Sequence, residues 1–187
     1  MSARKLLSLP TMLFRRFVAA QHGIAAVEFA LLLPFMALMY LGGFEVTQEI
    51  AVKRQVTLTA STVATIVTQY SSISSSQQMP GILAAATSVL TPYSSANAVV
   101  TVTCINIDST GKIATVAWSQ SSSGSGRAAN SVVTLPAALY VPNSSVILGE
   151  TTYSYTPVID YMHLGTEALY SSIYMLPRQP GTIVLTT

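Results

Sequence analysis

Catalysis or metal binding would have to begin from very few side chains. The 187 residues include two histidines, His22 and His163, and one cysteine, Cys104. Asp160, His163 and Glu167 stand at i, i+3 and i+7, a spacing that would put all three on one face of a helix and within reach of a metal ion. A single imidazole with no second cluster fits a solvated polar face better, so no metal and no cofactor are expected. Patterns that activate a serine, bind zinc through paired histidines or cradle a phosphate are also missing from the sequence. The chain therefore reads as a non-enzyme. Cys104 lies in the apolar run VVTVTCINI and reads as a small buried hydrophobe. Trp118 reads as core. Asn143-Ser144-Ser145 fits an N-glycosylation pattern that arises easily by chance in so serine-rich a chain.

The acidic residue that most needs an explanation is Glu28. It interrupts the run from Ile24 to Phe44, IAAVEFALLLPFMALMYLGGF, which otherwise carries no charge. As a helix of that length the run covers roughly 30 Å, the thickness of a bilayer core. A soluble core helix would show a polar face, and Ala30 to Leu41 shows none. A carboxylate within such a span costs at least ~2.5 kcal/mol near its centre and marks a function or a partner. Near the cytoplasmic edge of the span that cost is smaller. Pro34 should kink the span, and its alanines and Gly42 permit close helix packing.

Charge places the two ends of the span. Residues 1–23 contain Arg4, Lys5, Arg15 and Arg16 and no acid, a sum of +4, whereas residues 24–187 contain five bases and seven acids, a sum of −2. By the positive-inside rule the N-terminus stays cytoplasmic and the remainder is exported. The slightly acidic body argues against nucleic-acid binding. A conventional secretory signal peptide fits less well, because the apolar stretch is long, contains Glu28 and ends in LGGFEV instead of a small-residue cleavage site. Gly23 directly precedes the apolar run, so cleavage after it would make Ile24 the new N-terminus and Glu28 the fifth residue.

A basic leader, a glycine and an apolar segment with Glu at its fifth position resemble the type IV prepilin processing signal. The stretch QHGIAAVEFALLLPFMALMYLGGFE resembles the N-terminus of TadE- and TadG-like proteins of the tight-adherence (Flp) pilus system. The resemblance implies a pseudopilin-like structural subunit whose leader is removed after Gly23 by a prepilin peptidase. It also implies that Glu28 pairs with the N-terminus of a neighbouring subunit, and that other pilins and assembly proteins are partners beside membrane lipid. Localisation would be the bacterial inner membrane, single-pass, with a periplasmic C-terminal domain. Near the other end, YSYTPVI with Tyr153, Tyr155 and Pro157, and YMLPR with Pro177 and Arg178, resemble late segments of the same family. The competing reading is an uncleaved single-pass, membrane-anchored periplasmic binding module.

The remaining elements follow from pattern. Residues 45–70 keep helical spacing at Val52, Val56, Val63, Ile66, Val67 and Tyr70, so the span is expected to continue as an amphipathic helix, with Glu45, Glu49 and Lys53 as a charged row. Residues 71–78, SSISSSQQ, read as a linker, followed by a short helix over 82–90. Residues 99–107 and 113–120 alternate β-branched and small residues around DSTGK, a hairpin; SSSGSGR at 121–127 reads as a flexible connection; 145–155 reads as a strand and 182–186 as an edge strand. The expected organisation is a leader (1–23), a transmembrane helix (24–44), its amphipathic extension (45–70) and an α+β domain (71–187) with a small antiparallel sheet. Half of all residues are hydrophobic and 9% are charged, with none charged between Gln55 and Ile107. In place of charge, 23 Ser and 21 Thr supply surface polarity.

Overall fold

A computed structural model gives the structure of residues 22–157, 159, 165–179 and 181–187. Residues 1–21 of the leader, with Asp160 and His163, lie outside the described residues. Internal packing divides the chain into one unit ending at Val46 and a second from Thr47 to Thr187.

One helix, α1 (His22–Val67), contains both the apolar run and its expected extension, with Pro34 inside it. In the first unit the run from Ile24 to Phe44 exposes its large apolar side chains in every direction, including Val27 at 69%, Leu31 at 69% and Met39 at 81%. In the second unit Val52, Val56, Ala60, Val63, Ala64 and Val67 form a fully buried stripe at helical spacing. Threonines are weak helix formers, and here their hydroxyls donate back to the preceding turn: Thr59 to the Gln55 carbonyl (2.9 Å), Thr62 to Leu58 (2.8 Å) and Thr65 to Ser61 (2.7 Å). The hydroxyl bonds allow a Thr-rich sequence to remain helical without leaving polar groups unpaired.

The stripe packs on a four-stranded antiparallel sheet formed by β2 (Ala98–Ile107), β3 (Ala114–Ser121), β4 (Ser145–Tyr155) and β5 (Glu167–Met175), in the order β3-β2-β4-β5. Strand alternation sends Val100, Val102, Cys104, Trp118 and Ile147 toward α1 and α2 (Met79–Ser88), where they join Val63, Val67, Ile82 and Leu83 in the main core. Gly149 is the point of closest approach. A side chain there would collide with the Ala60 carbonyl of α1 and crowd Ala64 and Val63. On the opposite face Ile105, Ile107, Val146 and Leu148 are covered by Leu135 and its neighbours from the β3–β4 connection.

Four expectations need correction. The stretch read as a linker contains strand β1 (Ser72–Ser74), which pairs in parallel with β6 (Val184–Thr186). Ile73, the one apolar residue among serines, is fully buried there, and its burial outweighs the composition around it. β6 is consequently not an edge of the main sheet. The second helix begins at Met79 and not Ile82, because Pro80 in a first helical turn forfeits no hydrogen bond. Finally, Glu167 opens strand β5, so helical spacing does not carry through it. β5 was missed because an edge strand is only partly covered on both faces, which blurs the alternation of EALYSSIYM.

Candidate functional site

The residues singled out at the N-terminus fall in the first turns of α1. Gly23, Ile24 and Glu28 are all exposed, and no neighbouring atom lies within 4 Å of the position a Gly23 side chain would take. An 18-residue window of this helix has a mean hydropathy of 2.1, and none of it is buried by the protein itself. Burying a large apolar side chain is worth roughly 1.5–3 kcal/mol. A dozen such side chains between Ile24 and Phe44 are exposed among the described residues. The helix is long and apolar enough to cross a membrane.

The C-terminal residues separate into two places. Tyr153 and Tyr155 lie on the α1 side of β4, 5% and 8% exposed, packed with Val52, Val56, Leu90, Ala98 and Leu169. Pro157 follows the strand and is half-buried. Pro177 and Arg178 follow β5, and the Arg178 backbone N–H donates to the Thr68 carbonyl (3.1 Å), just past the end of α1. Val52 and Thr68 are 16 residues apart, about 24 Å along a helix. The tyrosines and Arg178 thus serve different ends of the packed helix.

Sequence reasoning passed over a third group. Arg127, at the end of the supposed flexible connection, forms a forked pair with Glu150 of β4: Nη2 to Oε1 at 2.7 Å and Nε to Oε2 at 3.2 Å. The Tyr170 hydroxyl of β5 donates to the same Oε1 at 2.6 Å. Glu150 is 8% exposed, so its charge is held by these donors and not by water. Pairing with Glu150 raises the pKa of Arg127 further, and desolvation followed by the bond to Glu150 raises that of Tyr170. The neighbouring Gly126 explains how the segment lies so close to the sheet: a Cβ there would come within 2.7 Å of the Ser119 carbonyl group. The available signal was the chemistry of a lone arginine after SGSG and a lone glutamate inside an apolar strand, each of which must find a partner when buried.

Two other polar features have structural explanations. Burial pushes the Cys104 thiol up to about 11, against a smaller opposing effect of a backbone bond to Ile183. The Trp118 indole donates to the Ile183 carbonyl at 2.7 Å, tying the sheet to the residue preceding β6. Among the described residues no group of three or more His, Cys, Asp and Glu side chains is placed to hold a metal.

The described residues thus combine one apolar helix long enough to cross a membrane with an α+β domain. Residues 23–65 match the family model described as TadE-like protein. Over those residues the chain is similar to TadE-like proteins. No curated protein and no solved structure matches the chain.

Proposed function

We propose that the protein is a pseudopilin-like structural subunit for assembly of tight-adherence pili. Its leader is cut after Gly23 by a prepilin peptidase, and Glu28 pairs with the new N-terminal ammonium of a neighbouring subunit. The observation that carries this reading is the TadE-like match beginning at residue 23, on a helix whose only charge before Glu45 is Glu28. An ammonium and a carboxylate are each costly in lipid and much less so as a pair, so Glu28 would fix the stagger of adjacent helices. The α+β domain then lies outside the cytoplasmic membrane and contacts pilins or assembly proteins.

N-terminal sequencing and intact mass of protein from its native membrane test the cleavage. A start at Ile24 that disappears in a strain lacking the prepilin peptidase is expected. Persistence of residues 1–23 with an active peptidase present would overturn the reading in favour of an uncleaved, membrane-anchored binding module. For the pairing, Glu28→Ala should be processed but fail to assemble; normal assembly of that variant would refute the role of Glu28.

A further inference from the structure

On the face of the sheet turned away from α1, the Arg127–Glu150–Tyr170 group borders a cleft of about 250 Å³ whose other walls include Val99, Thr101 and Thr152. We propose that this cleft binds a neutral, hydroxyl-rich ligand: a carbohydrate.

Charge comes first. The lining holds one cation and one anion, paired with each other, so the cleft carries no net charge to favour a phosphate or carboxylate. An apolar ligand fares no better, because nearly every wall residue presents a hydrogen-bonding group. What remains is a mixture of donors and acceptors in fixed places. Arg127 uses two of its five N–H donors on Glu150, and its side chain is 42% exposed. Tyr170 spends its proton on Glu150, and its oxygen, which the Ser172 hydroxyl also reaches, has a second lone pair to offer; its residue is 52% exposed. Thr101 likewise donates to the Ser121 hydroxyl at 3.1 Å and can still accept. Sugar hydroxyls, each both donor and acceptor, match such a set where a one-signed ligand does not. The forked ion pair holds the guanidinium in place in advance, so little order has to be created on binding. This inference does not depend on leader cleavage or on pilus assembly.

The test uses the full chain in a zwitterionic, sugar-free detergent, with amide chemical shifts followed by NMR. Probes are the neutral disaccharides cellobiose, maltose and chitobiose, with inorganic phosphate, glucuronate and an uncharged tetrapeptide as competitors in class. At least one disaccharide should shift the amides of Thr101, Gly126 and Thr152 with a Kd of about 1 mM, the weak end of specific binding. Thr152→Val keeps the shape and β-branching of the residue and removes one hydroxyl, so it should weaken binding roughly threefold to tenfold with unchanged Tm. Tyr170→Phe should weaken it similarly. No shift with any disaccharide up to tens of millimolar, stronger binding of phosphate, glucuronate or peptide, or binding insensitive to both substitutions would each overturn the assignment.

Discussion

Gly149→Ala isolates the contact that sets the distance between α1 and the sheet. The added methyl would meet the Ala60 carbonyl, with the Ala64 Cβ at 3.0 Å and the Val63 Cγ1 at 3.2 Å. The first of these is helix backbone and cannot move without displacing the buried stripe. Overpacking of this kind costs about 1–3 kcal/mol, and replacing a strand glycine returns roughly 0.5–1 kcal/mol. The net loss should be about 1–2 kcal/mol, and at roughly 2–4 °C per kcal/mol for a chain of this size the Tm should fall by about 2–8 °C. Thermal unfolding followed by Trp118 fluorescence provides the assay, since that indole sits in the same core. Gly81→Ala is the internal control: nothing lies within 4 Å of the new methyl, in helix α2, so stability should rise by up to about 1 kcal/mol. A Gly149→Ala protein as stable as the parent would show that α1 is not held against the sheet at this point.

Arg127→Ala leaves the Glu150 carboxylate without its fork. Because Arg127 is 42% exposed, the loss should be about 1–2 kcal/mol, below the 3–5 of a fully buried pair, and a double-mutant cycle with Glu150→Gln should recover part of it. Asp108 accepts from the Thr110 hydroxyl and from the backbone N–H of Ile113 and Lys112, which lowers its carboxyl to about 2. A depressed carboxylate contributes stability above its unfolded value near 3.8 and loses it as pH falls toward 2. Asp108→Asn should remove that part of the slope in a stability titration between pH 4 and pH 2. Cys104 is buried, with its thiol raised to about 11, so a thiol reagent at pH 8 should label it no faster than the domain opens. Labelling within seconds under native conditions would contradict that placement.

The helix and the hairpin were legible because each buries a regular stripe: Val52 to Val67 at helical spacing, and Val100 to Cys104 in alternation. The strand over 145–155 matched its expected bounds for another reason: it is a run rich in β-branched and aromatic residues, buried on both faces along most of its length. Elements that depend on a distant partner were not legible. Ile73 gives no periodic signal by itself and becomes a strand residue only because β6 returns beside it. Edge strand β5 is defined by its pairing with β4 more than by its own pattern. The ion pair has the same cause, since Arg127 and Glu150 are 23 residues apart and meet only across the folded sheet. The N-terminal segment was the reverse case: its exposed apolar surface and Glu28 are written in consecutive residues, and the TadE-like match falls on that segment.

The parallel pairing of β1 with β6 has a mechanical consequence. β1 follows closely on α1, and β6 lies beside it with Ser72 opposite Val184 and Ser74 opposite Thr186. Tension applied between α1 and the far end of β6 would pull two parallel strands past each other lengthwise, straining their hydrogen bonds together instead of one after another. The short pair would thus act as a shear clasp beyond the buried stripe from Val52 to Val67, loaded only after that stripe gives way.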